Sequence, residues 1–188
     1  MMARPPASVH VCALRHIPEV LARTGARHLI SAINSDLAPA TPKALSPGNH
    51  LKLDMHDITE AQPGSMAPAL EHVSELLDFV RGWDRQTPLL IHCYAGLSRS
   101  TAAAYITLCA LNPQASESTV AGALRRASDT AVPNRLFVSL ADAMLRREGR
   151  MVAALASMGP HRFAAECVPF GVESLHGPAA PEGASRAA

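Results

Sequence analysis

Apolar residues recur along this chain in two rhythms, and the switches between them mark out its elements. Residues 9–14, 26–34 (with His28-Leu29-Ile30-Ser31-Ala32-Ile33) and 51–55 read as strands, the last alternating apolar and polar as a half-buried strand does. The apolar run Pro88-Leu89-Leu90-Ile91 predicts a strand over 89–92, buried on both faces. The other rhythm is helical. Residues 16–24 predict a short helix stopped at Gly25, and 68–82 a longer one with Leu70, Val73, Leu76, Leu77 and Val80 in one stripe. Residues 98–111 are apolar nearly all round, as a central buried helix would be, and stop at Asn112-Pro113. Three more helices are predicted: 116–127 capped by Ser116, 134–148 capped by Asn134 and stopped by Gly149, and 150–158 ending at Gly159-Pro160. Residues 37–49 and 59–67 are rich in turn formers and read as loops. From Gly171 the chain is Gly, Pro, Ala and Ser, which predicts a disordered tail over 171–188.

Strands alternating with helices early, then a run of helices, predict an α/β fold. The architecture that follows from this order is an α/β sandwich. No internal repeat is visible. The 188 residues suit a single domain, placed at 8–160.

The chemistry concentrates at His92-Cys93-Tyr94-Ala95-Gly96-Leu97-Ser98-Arg99-Ser100, where the buried strand hands over to the buried helix. A strand-to-helix loop points main-chain N–H groups inward, and the helix end adds partial positive charge. Gly96 suits the bend. Arg99 carries a planar fork of donors that matches two oxygens of a phosphate. Cys93 stands where these donors converge, and a pocket built for a dianion also stabilises a thiolate. Holding a free thiol almost wholly ionised at neutral pH takes roughly 4 kcal/mol. A helix end supplies only about 0.3–2 kcal/mol, so the amides and Arg99 must supply the rest. Ser100 is placed to donate to the sulfur and help it leave, and His92 to orient the loop through hydrogen bonds.

This stretch resembles the signature of the cysteine-based protein tyrosine phosphatase superfamily: His-Cys, two residues, Gly, two residues, Arg, then Ser or Thr. A chance match at every fixed position in a chain of this length is on the order of 10⁻⁵. The resemblance implies the phosphotyrosine phosphatase fold over about residues 8–150, a short, mostly parallel central sheet flanked by helices on both faces, with catalysis by Cys93, Arg99, Ser100 and an aspartic acid from a separate loop. It also implies substrate binding by Tyr94, Ala95, Gly96, Leu97, Ser98 and Arg99. Asp57, just past the strand at 51–55, is the expected acid. Asp54, inside the alternation, is the alternative, with Glu60 in reserve and Asp84 read as a turn residue. His56 reads as a solvated loop residue. Pro133-Asn134 followed by Phe137 resembles the start of a late helix in small dual-specificity phosphatases, although Leu136 stands where glycine is usual and Leu140 where glutamine often sits.

The implied activity is hydrolysis of phosphotyrosine, and also of phosphoserine and phosphothreonine, through a cysteinyl-phosphate. The partners are phosphorylated proteins or small phosphomonoesters. No tyrosine precedes Tyr94 and no ring-stacking residue is evident upstream, which favours a dual-specificity-like enzyme. The uncharged Tyr94, Ala95, Leu97 and Ser98 argue against highly charged inositides. A rhodanese-like sulfurtransferase and a catalytically inactive phosphoprotein-binding module are the competing classes.

Composition narrows the setting. Net charge is +1, which gives no argument for nucleic acid or an anionic membrane, and no run is long and apolar enough to span one. The nine histidines are scattered and no Cys/His set has zinc-ligand spacing, so neither metal nor cofactor is expected. Cys12, Cys93, Cys109 and Cys167 are widely spaced and no secretory leader is visible, which points to a reducing, cytoplasmic setting and a monomer. Cys109 reads as core, and a Cys12–Cys93 disulfide under oxidation is a further expectation from the resemblance. Abundant alanine and 4% aromatic content point to a high-GC bacterial source.

Overall fold

A computed structural model describes residues 7–173. Its centre is a five-stranded sheet in the order β3-β2-β4-β1-β5. The strands are β1 (Ser8–Ala13), β2 (His28–Ala32), β3 (His50–Leu53), β4 (Leu89–Cys93) and β5 (Phe170–Glu173). The first four are parallel, with Ala13 opposite Cys93 and Ser31 opposite His92, while β5 runs antiparallel to β1 at one edge. The α/β expectation of a mostly parallel sheet is met.

All five residues of β4 are buried, because its two faces serve two cores. On one face Leu90 joins Cys12, Leu29 and Leu45 under Ile17 and Val20 of α1 (Ile17–Thr24). On the other, Leu89 and Ile91 join Val9, Val11 and Ile30 beneath five helices. These are α2 (Leu70–Gly82), α3 (Arg99–Leu111), α4 (Glu117–Ala127), α5 (Arg135–Met144) and α6 (Arg150–Ala156). Helix α3 is buried continuously from Arg99 to Cys109, which explains its lack of a polar face. Gly25 ends α1 in the left-handed conformation at φ 68°, and the Ser116 side chain accepts from Thr119 N at the start of α4.

Three expectations need correction. Leu70 does not belong to the buried stripe: it sits in the first turn of α2, 49% exposed, and the stripe begins at Val73. The helix expected over 134–148 stops at Met144, and Gly149 opens α6 rather than closing α5. The cause is Asp142, whose carboxylate accepts from the main-chain N–H groups of Gly149 (2.6 Å), Met151 (2.7 Å) and Val152 (3.2 Å). It thereby satisfies the orphan donors of the next helix. Asp142→Asn should therefore lower stability by about 1–3 kcal/mol in urea unfolding and leave turnover alone. Finally, the chain does not fall away from the domain at Gly171, since Phe170–Glu173 pair with β1. A strand of four residues at a sheet edge carries too little alternation to stand out from a Gly/Pro-rich surrounding. The remainder of the expected tail, 174–188, lies outside the described residues.

Candidate active site

The parallel sheet brings the carboxyl end of β4 to a central position, where ligands bind in such folds. Cys93 is the last residue of β4 and Arg99 the first of α3, so residues 94–98 turn tightly between them. Gly96 makes the turn possible. Its φ is +73°, and a Cβ there would run into Cys167 Sγ, lie 2.8 Å from the carbonyl carbon of Cys12 and 2.9 Å from Ala13 N. Gly96→Ala combines left-handed strain with overpacking against main chain, each costing about 1–3 kcal/mol. The expected result is a lower melting temperature together with loss of nearly all activity.

The loop is held from behind and from the side. Leu14 N donates to Tyr94 O (3.1 Å) and Cys167 N to Ala95 O (2.9 Å), so the end of β1 and the segment before β5 both clamp it. Val132 N donates to Leu97 O and Asn134 N to Ser98 O, at 2.9 and 3.3 Å, which docks the 131–134 turn against its other flank. At the centre, Cys93 Sγ accepts from Gly96 N at 3.2 Å and lies 3.1 Å from Ser100 Oγ.

Arg99 is 6% exposed. Its Nη1 donates to Met55 O at 2.8 Å and to Asn34 Oδ1 at 3.4 Å. Its Nε is buried without a hydrogen-bond partner. A guanidinium so anchored on one arm, with an unsatisfied donor beside it, is prepared for an oxyanion.

The structure separates the acid candidates. Asp57 Oδ1 accepts from Ser98 Oγ (2.7 Å) and Asn134 Nδ2 (2.9 Å), which ties it to the loop and leaves Oδ2 open. Asp54 Oδ1 instead accepts from Ser35 N (2.7 Å), and Asp84 Oδ1 from Gln86 N (2.9 Å), so both fasten turns. His56 is not simply a solvated side chain: its N–H donates to Met66 O (2.7 Å) and its Nδ1 accepts from Met66 N (3.0 Å), closing the loop that carries Asp57. A cavity of about 500 Å³ opens beside Asp57, walled by Ile58, Glu60, Ser98, Val132, Asn134 and Arg135 among others. Of the loop residues expected to bind substrate, Ser98 alone lines it; Tyr94 is 61% exposed.

Burial pushes the Cys12 and Cys109 thiols up to about 12 and Cys167 up to about 11, so all three stay protonated. All four cysteines are free, with no Cys12–Cys93 bond. Among the described residues no group of three or more His, Cys, Asp or Glu side chains is placed to hold a metal ion, and no helix is long and apolar enough to cross a membrane.

His92 and His50 are both held near 4 by burial, against an ordinary 6.5. An unfolded chain protonates these rings below about 6.5, whereas the folded one resists until about 4. The unfolded state therefore binds more protons in that window, and stability, complete above it, falls as pH drops through it. Thermal melting between pH 7 and pH 4 should show the decline.

Asn134 was legible from sequence only as a helix cap. It is one: Oδ1 accepts from Phe137 N at 3.0 Å. An amide also has two donor protons, and here Nδ2 donates to Asp57 Oδ1 at 2.9 Å and to Ile58 O at 3.3 Å. Asn34, Ser31, His50 and Cys167 carried no sequence signal, since each meets the loop only through strand register or chain return.

Several solved structures share this architecture. Cydia pomonella PTP-2 phosphatase is 22% identical, with a TM-score of 0.57 over 72% of this chain and 84% of that one. DUSP15 is 18% identical, with a TM-score of 0.56 over 88% and 97%. PTPMT1 in complex with PI(5)P is 14% identical, with a TM-score of 0.55 over 74% and 94%. The chain has the fold of the cysteine-based protein tyrosine phosphatases, in the form taken by the dual-specificity enzymes. No family model matches it, and no curated protein matches it in sequence.

Proposed function

We propose that this chain is a phosphomonoester hydrolase acting on phosphotyrosine proteins, and on phosphoserine and phosphothreonine proteins, through a cysteinyl-phosphate on Cys93. One observation carries the reading. The sulfur of Cys93 sits between the Gly96 amide and the Ser100 hydroxyl, at the foot of a loop whose Arg99 keeps an unpaired buried donor.

Substrate phosphate oxygens take the places for which the loop amides and Arg99 are prepared. The sulfur attacks phosphorus as the P–O bond to the substrate breaks, and Asp57 Oδ2 gives its proton to the departing oxygen. Water then attacks phosphorus, the S–P bond breaks, and Asp57 takes the proton of that water. Ser100 Oγ donates to the sulfur as it leaves. Throughout, Arg99 and the amides balance charge on the equatorial oxygens. Asn134 and Ser98 keep Asp57 over the loop while leaving its outer oxygen free to exchange protons.

The substrate class rests on the same loop. PTPMT1 is seen with a phosphoinositide, but Tyr94, Ala95, Leu97 and Ser98 bring no cation to grip further phosphates. The cavity beside Asp57 offers room for residues flanking a phosphorylated side chain.

Incubation of the full chain with an aryl phosphate and then with a panel of phosphotyrosine, phosphoserine and phosphothreonine peptides tests the reading. Release of phosphate from both supports it. Sulfur transfer from thiosulfate to cyanide without phosphate release would favour the sulfurtransferase class, and tight phosphopeptide binding with no release would favour a binding module.

A further inference from the structure

Beneath the loop a line of hydrogen-bonded polar side chains crosses three strands of the sheet. His92 Nδ1 lies 3.2 Å from Cys93 O, and its Nε2 lies 2.5 Å from Ser31 Oγ. Ser31 Oγ also lies 2.8 Å from His50 Nε2, and His50 Nδ1 lies 2.9 Å from Thr41 Oγ1. Ser31 and His92 are fully buried, and Ser31 stands in β2 between the buried Ile30 and Ala32. Parallel pairing of β2 with β4 places Ser31 directly opposite His92.

Both rings are neutral, because burial disfavours their charged forms, with Lys52 adding to this at His50 and Arg99 at His92. A neutral imidazole has one N–H, so every proton in the line can be assigned. A carbonyl oxygen only accepts, so the His92 proton is on Nδ1 and Nε2 is bare. Ser31 must therefore donate its single hydroxyl proton to His92 Nε2. That leaves Ser31 Oγ as acceptor for His50, whose proton is on Nε2. His50 Nδ1 is then bare and accepts from Thr41. The reverse assignment satisfies every link except the last, where bare Nδ1 of His92 would face the Cys93 carbonyl oxygen.

We propose that Ser31, His50 and Thr41 are positioning residues for the catalytic loop: they form a one-way hydrogen-bond relay that locks His92 in the form that donates to the Cys93 carbonyl. The inference rests on Cys93 being the nucleophile, as argued above. Its physical effect falls on the peptide unit that leaves the sulfur. Donation to the Cys93 carbonyl draws off the negative end of that dipole and polarises the same unit's N–H, on Tyr94, the first amide of the cradle. Ser31 alone would satisfy His92 Nε2. His50 and Thr41 are needed for direction, since a His50 that donates to Ser31 leaves the serine proton only His92 as partner. Reversal would strand a buried polar group, which is costly.

The test uses the full chain with Ser31→Ala, His50→Leu, His50→Gln and Thr41→Val. Glutamine can place its amide N–H near the position of Nε2–H, so it keeps the donation to Ser31 that leucine removes. Two measurements are made on each: the pH dependence of Cys93 alkylation by iodoacetamide, which needs no turnover, and kcat and KM on an aryl phosphate. In Ser31→Ala and His50→Leu the alkylation profile is expected to move toward higher pH, and kcat/KM to fall between about twofold and about tenfold, as for loss of one buried neutral hydrogen bond. Thr41→Val, at the half-buried outer end, should move both in the same direction by less, and it keeps the proposal testable if Ser31→Ala does not fold. His50→Gln should restore both. An unmoved alkylation profile in His50→Leu, with only its melting temperature lowered, overturns the relay. A shifted profile in a chain that never releases phosphate upholds the relay and removes the phosphatase reading instead.

Discussion

Cys93→Ser is expected to abolish phosphate release, a loss on the order of 10⁴-fold or more, while phosphopeptide binding survives. The reason is the absence of a base to activate an alcohol there. The neighbouring imidazole, His92, is neutral but spends its N–H on the Cys93 carbonyl and its bare nitrogen on Ser31. Ser100 is itself only a hydroxyl. A serine at position 93 would keep its proton and lie inert under the bound phosphate. The smaller side chain fits where sulfur fits, and the Gly96 amide and Arg99 still meet the phosphate, so equilibrium binding should stay within a few-fold of the unmodified chain. Isothermal titration with a phosphotyrosine peptide and a colorimetric phosphate assay on the same preparation measure both. Residual turnover in the variant would assign the nucleophile elsewhere.

Asp57→Asn is the second large effect. Asparagine keeps an oxygen for Ser98 Oγ and Asn134 Nδ2, the two donors that fix the side chain, and removes only the proton that Asp57 exchanges. The fall in kcat should lie between about 10² and about 10⁴ for an alkyl phosphate, whose leaving oxygen departs poorly without a proton. For an aryl phosphate with an acidic phenol the fall in kcat/KM, which reports cleavage of the ester, should be much smaller, while hydrolysis of the cysteinyl-phosphate still slows for want of its base. KM should change little, since Asp57 does not belong to the oxyanion cradle. A series of phosphomonoesters graded by leaving-group acidity reads this as a steeper dependence of rate on leaving group. Unchanged hydrolysis of the alkyl ester would move the acid to another residue, and Glu60, on the wall of the same cavity, would be examined next.

How far the sequence led can be judged from particular residues. Strand β4 and helix α3 were legible because burial on nearly every side leaves mostly apolar segments, with Leu89, Leu90 and Ile91 in one and no polar face in the other. Their junction was legible because a tight strand-to-helix turn has few solutions, and Gly96 at φ +73° is one of them. Asp57 could be preferred over Asp54 because the alternation ends at Met55. In the structure Asp54 Oδ1 accepts from Ser35 N and Asp57 Oδ1 from Ser98 Oγ. What stayed hidden was contact between distant segments. The end of α5 depends on Asp142 reaching forward to the next helix, and β5 depends on the chain returning to β1. Ser31 reads as an ordinary strand residue until parallel register sets it opposite His92. Asn134 hides its second contact for another reason: one amide caps a helix with its oxygen and holds Asp57 with its nitrogen.

The account turns on the sulfur of Cys93 carrying the phosphoryl group from the substrate ester to water. Rapid acid quenching during steady turnover, followed by mass spectrometry of the intact chain and of its peptides, observes this directly. The expected result is one phosphoryl group on Cys93, formed and lost no more slowly than the enzyme turns over and accumulating further in Asp57→Asn, where water attack lacks its base. Phosphate release with Cys93 never modified, or with the phosphoryl group found on another side chain, would contradict it.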